Sequence, residues 1–174
     1  MVGHCSGATT LEVLGEHEAF SLHPLMTVPA DGASFAGAGA AVAGSTPRAL
    51  QAARELATAI GMRPFAVRDE DRAAYHAAAS IASNFLITLE AAAETVARSA
   101  GVKRDVLVPL VRQTVENWAR LGPEGALTGP VARGDEATIS RQRAAIEERA
   151  PELVSLFDEL VTATRHLAGQ AVAA

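Results

Sequence analysis

The chain has 174 residues, of which 49% are hydrophobic and only 4% aromatic, and its net charge is −5. That length suits one moderate domain, or a small domain beside part of another, with a core of Ala, Leu, Val and Ile in closely packed helices. Charged residues are sparse (20%) and acidic on balance, which excludes a nucleic-acid surface, where clustered cations displace counterions from phosphates.

In chain order, Val2-Gly3-His4-Cys5-Ser6-Gly7-Ala8 reads as a strand end and its loop. The expectation is the later part of a nucleotide-binding fold, without the strand, Gly-rich turn and helix that open one. Phe20–His23, Ala40–Ala43 and Pro64–Val67 are predicted strands. Between the last two lies a helix, with Thr46 as cap, Pro47 in the first turn, Leu50, Ala53, Leu56 and Ile60 on one face, and Gly61 as the stop. Strand–helix–strand is half of an α/β sheet. One helix cannot cover both faces of a parallel sheet.

From Asp69 the pattern is helical. Asp69, Glu70 and Asp71 complement a helix dipole. The Ala-rich stretch to Ala100 predicts a central helix of about 30 residues, with Ile81, Phe85, Thr88 (or Leu89), Ala92 and Val96 at helical spacing. A second helix spans about 105–121, with Leu107, Val111, Val115 and Trp118 available for burial and Gly122 as its stop. A weaker one runs from Asp135 to about Arg149. The last starts at Pro151 and presents Leu153, Leu156, Phe157, Leu160, Val161, Thr164 and Leu167. The fold class expected is α+β, mostly α: a partial α/β layer over residues 1–68, then a helical domain over 69–174.

Cys5 is the single cysteine and cannot form an internal disulfide, no apolar run reaches the ~20 residues that span a bilayer, and no signal peptide is evident. A cytoplasmic protein with no membrane partner is expected.

Four stretches combine: His4-Cys5-Ser6-Gly7-Ala8; Ser21-Leu22-His23-Pro24-Leu25; Tyr75-His76 with Ser83-Asn84; and Leu127-Thr128-Gly129-Pro130-Val131-Ala132-Arg133-Gly134-Asp135. In this order and spacing the chain resembles the Rossmann-like proteins that end in a DUF2520 domain, a branch of the 6-phosphogluconate dehydrogenase-like superfamily alongside ketopantoate reductase. The resemblance implies a Rossmann-like cofactor domain, represented here without its N-terminal Gly-rich part. It also implies an all-helical domain, like the C-terminal domain of 6-phosphogluconate dehydrogenase, that lines the substrate cleft and forms a homodimer. NADP or NAD is the implied cofactor and a small carbonyl or imine the implied substrate. Relatives in the wider superfamily carry a proton-donating lysine four residues before an asparagine. Counting back from Asn84 reaches Ser80, and the only lysine, Lys103, lies about five turns further on.

The catalytic candidates are therefore His23, His76 and Asn84. Imidazole titrates near neutrality and can deliver a proton to a carbonyl, while Asn84 can orient a substrate. His4, Ser6 and Gly7 are the cofactor-binding candidates. Ser80, Thr128, Gly129 and Arg133 are those for substrate, with Arg133 suited to an acidic group. Each has a plainer reading: a tight turn at Gly3–Gly7, structural histidines, a helix–helix bond at Asn84 or Asn117, and a capped helix start at Asp135. The histidine spacing is not diagnostic of a metal site. Gly37-Ala38-Gly39 precedes a strand and is not a phosphate loop, and the nucleophile-elbow pattern is absent around Ser6. Two functions follow as expectations: the substrate-binding and dimerisation portion of an NAD(P)-dependent oxidoreductase, or a non-catalytic dimeric ligand-binding or interaction module that lacks cofactor binding. A hydrolase or metal enzyme using Cys5 or the histidines is a weaker third.

Overall fold

The structure, a computed structural model, describes residues 1–173, with side chains as far as residue 169. Two compact units divide between Ile87 and Thr88, inside the long helical run.

The first unit holds a four-stranded sheet of β1 (Val2–His4), β2 (Ala19–Leu25), β3 (Gly39–Gly44) and β4 (Arg63–Ala66), in that order. β1 and β2 are parallel, as are β3 and β4, but β2 and β3 are antiparallel. The expected half of a parallel sheet is thus a mixed one, because residues 26–38 return the chain as a loop and supply no crossover helix.

Helix α1 (Pro47–Ala59) joins β3 to β4. Thr46 caps it, its hydroxyl accepting the Ala49 N–H at 3.1 Å, and Pro47 occupies the first turn. The buried stripe is Ala49, Ala53 and Ala57. Of the expected face only Ala53 is buried and Leu50 packs at the core's edge; Leu56 and Ile60 are 50% and 48% exposed. Alanines at i, i+4 and i+8 let the helix axis come closer to the sheet than a leucine face allows. Gly44 makes that approach possible, since a Cβ there would lie 2.2 Å from the Leu50 nitrogen. Leu22, Ala40, Val42, Ala53, Ala57 and Met62 form the core, flanked by Phe20 and Phe35.

Strand alternation sends Phe20 and Leu22 toward α1 and leaves Ser21 and His23 on the opposite face. That face meets α2 (Arg72–Ser80), which follows a 3₁₀ turn at Asp69–Asp71. Arg72 is 2% exposed and donates to Ser21 Oγ at 2.7 Å and to Asp69 Oδ1 at 2.7 Å. The helical run continues through a π-helical turn, Ile81–Phe85, into α3 (Leu86–Ser99). A run of about this length was expected, but not the π turn. Nor is the run enclosed: Ile81 and Phe85, expected inside, are exposed, and Arg72 is the buried residue of α2. The stripe that meets the sheet is the polar one.

In the second unit, α4 (Arg104–Ala126) leaves helical geometry at Gly122 (φ 74°), where the stop was predicted, and resumes to Ala126. Leu107 and Val111 are half-buried, whereas Val115 and Trp118, expected to be buried, are exposed. α5 (Glu136–Arg149) is capped by Asp135, which accepts the Thr138 N–H at 3.0 Å. α6 (Val154–Ala173) follows a 3₁₀ turn at Pro151–Leu153. Ile139, Ile146, Ala150 and Val161 are buried. The pairs Arg143–Asp158 (2.9 Å) and Arg165–Glu136 (2.7 Å) join α5 to α6. Among the described residues no helix is long and apolar enough to cross a membrane.

Candidate functional site

A cleft of about 530 Å³ lies within the first unit, lined from β2 and its following loop by His23, Leu25, Met26 and Thr27. Its other wall comes from α2 and the π turn, including Tyr75, His76, Ser80, Ser83 and Asn84. The helical wall follows from spacing. On an alanine-rich helix, Arg72, Tyr75, His76, Ala79, Ser80 and Ser83 recur at intervals of three and four and share one side. The π turn adds Asn84 to the lining; such turns are a recurrent feature of functional sites.

Pro24 follows His23 in β2, keeping the histidine extended. His23 Nδ1 is 2.6 Å from the Tyr75 hydroxyl, and the two rings meet edge-on with centroids 5.6 Å apart. His76 lies 6.2 Å from His23, ring to ring. Gly7 is buried against both. A Cβ at Gly7 would sit 2.8 Å from His23 Cε1 and from His76 Cδ2, and 2.9 Å from His23 Nε2. Burial, then the positive fields of His76 and Arg72, hold the His23 imidazole below its ordinary range and favour the neutral ring. Burial pushes the Tyr75 hydroxyl up, with Arg72 opposing weakly, so the phenol keeps its proton.

The structure therefore brings together Gly7, His23 and His76, and places His23, His76, Ser80 and Asn84 in one cleft. His4 and Ser6 stand in the adjoining loop with their side chains engaged inside it. His4 Nδ1 accepts the Ser6 N–H at 3.2 Å while Nε2 reaches the Thr10 carbonyl at 3.3 Å. The Ser6 hydroxyl donates to Thr9 Oγ1 and accepts the Thr9 N–H. Thr128, Gly129 and Arg133 belong to the second unit, where the loop closes on itself through Arg133 N–H to the Gly129 carbonyl, 3.3 Å. Asp135 is held below the usual carboxylate range by hydrogen bonds from Thr138, as its cap role requires. Asn117 accepts from Gln113 at 2.9 Å within α4, an exposed pair along one helix and not a bond between helices. Sequence reasoning assigned no role to Tyr75, Thr27 or Arg72; the polar stripe on the Ala-rich helix was the available signal for Tyr75 and Arg72. Among the described residues no group of three or more metal-ligating side chains gathers, and the cleft lining includes no Arg, Lys, Asp or Glu.

The sequence model of the domain of unknown function DUF2520 matches residues 38–164. The chain belongs to the DUF2520 family. Among solved structures, this DUF2520 protein is similar to BF3122 from Bacteroides fragilis, named a putative NADP oxidoreductase, with a TM-score of 0.86 and 22% identity. That likeness covers 95% of this chain and 65% of BF3122, so the chain spans less than two thirds of that protein. It is also similar to TM1727 from Thermotoga maritima, with a TM-score of 0.85 and 28% identity over 96% of this chain and 69% of the other. A search of curated proteins found no match. The fold is thus α+β and mostly α, with a Rossmann-like sheet.

Proposed function

We propose that this DUF2520 protein is the substrate-binding and dimerisation portion of an NAD(P)-dependent oxidoreductase acting on a small carbonyl or imine. On this reading residues 1–68 are the cofactor side and 69–174 the substrate and dimer side. The observation that carries it is the convergence of Gly7, at the loop after β1, with His23 and His76 in a cleft that also holds Ser80 and Asn84. Ligands collect beyond the carboxyl ends of strands in such sheets.

The donor set fits the nicotinamide and substrate end of the cofactor. Thr27, Ser80, Ser83 and Asn84 are neutral hydrogen-bonding groups suited to a carboxamide or carbonyl, whereas a pyrophosphate calls for cations. When bound, nicotinamide supplies the hydride chemistry. His23 or His76, in its imidazolium form, gives the proton to the substrate heteroatom and is left as the neutral ring. Asn84 and Ser80 orient the substrate, and the Gly7 backbone fixes the two imidazoles. His4, Ser6 and Gly7 form the cofactor-side loop, where His4 and Ser6 act by holding backbone shape. For the second unit taken by itself, we assign the Thr128, Gly129 and Arg133 loop to an acidic group.

One observation favours the alternative, a non-catalytic dimeric ligand-binding module: the His4 and Ser6 side chains are both used within their own loop. The homodimer is supported by α4, which exposes Val106, Leu110, Trp118 and Leu121; water-facing apolar groups of this size mark contact surfaces. A cytoplasmic location accords with the lone, exposed thiol of Cys5.

Calorimetric titration with NADH and NADPH tests the first reading, and saturable micromolar binding is expected, weakened in Asn84→Ala. Absence of binding up to millimolar cofactor would leave the ligand-binding module in its place. Light scattering on the same sample should give twice the chain mass; a clean monomer would remove the dimer.

A further inference from the structure

We propose that Tyr75 is a positioning residue that locks His23 in the tautomer carrying its proton on Nε2, and thereby sets which edge of the ring can donate in the cleft. Three observations carry this. The Tyr75 oxygen lies 2.6 Å from His23 Nδ1, a short contact between two groups of opposite hydrogen-bonding preference. The phenol is the stronger acid and imidazole nitrogen the stronger base, so Tyr75 O–H donates and Nδ1 accepts. Tyr75 is itself fixed. It is half-buried on α2 and meets the Phe65 ring edge-on at 6.0 Å and the His23 ring at 5.6 Å.

The third observation is where the other nitrogen lies. Nε2 is on the edge facing Gly7, 2.9 Å from the point a Cβ there would occupy, in the same corner as the His76 ring. Free imidazole exchanges its proton between the two nitrogens. With Nδ1 occupied, the proton resides on Nε2, beside the loop that follows β1. Of the other charged and titratable neighbours of His23, Arg72 is engaged with Ser21 and Asp69, and the His76 ring lies 6.2 Å away in the Gly7 corner, beside Cε1 and Nε2. Tyr75 thus acts through His23 and has no need to touch a substrate. The resulting neutral ring presents a hydrogen-bond donor on that edge, and delivery of a proton to a substrate requires the ring first to take up a second proton from solvent.

The catalytic consequence rests on the reading of His23 as proton donor, but the tautomer is measured without cofactor or substrate. Long-range proton–nitrogen correlation spectra of the ¹⁵N-labelled chain, with His23→Gln for assignment, should show Nε2 protonated and Nδ1 bare at neutral pH. The bias should be about tenfold, the scale of one hydrogen bond of ordinary net strength. Tyr75→Phe keeps the ring and removes the donor, and should move the two signals toward the exchanging mixture of free histidine. Phe65→Leu loosens the packing around Tyr75 yet keeps its hydroxyl, and should leave the bias in place. A wild-type spectrum with the proton on Nδ1 overturns the proposal, as does an unchanged tautomer in Tyr75→Phe. If Tyr75→Phe does not fold, the wild-type spectrum together with Phe65→Leu decides. A failed NADPH titration with the Nε2 tautomer intact would count against the oxidoreductase reading and leave the Tyr75 assignment standing.

Discussion

Gly44→Ala is expected to lose about 3 kcal/mol of stability, at the upper end of the usual cost of overpacking. The added methyl would lie 2.2 Å from the Leu50 nitrogen, 2.6 Å from its Cα and 2.8 Å from the Ala49 carbonyl carbon. All three are backbone atoms in the first turn of α1, so no side-chain rotation can relieve the overlap. The helix must lift away from β3, and the contacts of Ala53 and Ala57 with Leu22 and Val42 open with it. Urea unfolding followed by circular dichroism measures the loss as a lower midpoint. Gly39→Ala in the same strand is the comparison, since its methyl meets the edge of the Phe65 ring at 3.0 Å, which can turn aside. Equal losses in the two variants would show that α1 does not rest on Gly44.

The second large effect is expected from Arg72→Met. The methionine fills part of the space but leaves the Ser21 hydroxyl, which has no solvent exposure, without its donor. An unsatisfied buried hydroxyl and imperfect packing together cost about 2–4 kcal/mol. Asp69 is 46% exposed on its side chain and is rehydrated once the ion pair is gone, so it adds little. A double-mutant cycle isolates the buried bond: Ser21→Ala should cost less in the Arg72→Met background than in the wild type. Strict additivity would mean that the Arg72–Ser21 contact contributes nothing. The same substitution removes one of the positive fields at His23, so the imidazole should titrate at higher pH. Its sign follows from linkage. With the folded-state value depressed, the His23 contribution to stability is present above its ordinary value of 6.5 and is lost as pH falls below it; Arg72→Met narrows that window.

The helices and the first α/β elements were legible because their signals are local. Thr46-Pro47 marks a start, Gly122 a break and Asp135 a cap, and each does so with a short side chain or none. What escaped depended on partners distant in sequence. The antiparallel turn of β2 into β3 is not encoded in the strands, which read alike in either direction. Leu56 and Ile60 fitted a helical face as well as Ala49 and Ala57, and Gly44, on the neighbouring strand, decided between them. For the site, Asn84 was visible as an amide in an apolar helix, His23 and His76 as titratable side chains in the stretches that carry the family resemblance, and Ser80 by its place four residues before Asn84. Arg72 was not, because a buried arginine shows itself only when Ser21, some fifty residues away, is found beneath it. The π turn gave no warning, since Ile81–Phe85 reads as ordinary helix.

The single tyrosine of this chain sits in the cleft and the single tryptophan on α4, one in each compact unit. Intrinsic emission therefore provides two separate clocks for refolding. The phenol signal is expected to fall when Tyr75 engages His23, an event that waits for β2 and α2 to meet across a separation of 52 residues. The indole of Trp118, exposed on α4, would report any burial of that face in the other unit. Stopped-flow traces at the two wavelengths would order the appearance of the cleft against any covering of the α4 face, in a protein that needs no label for either.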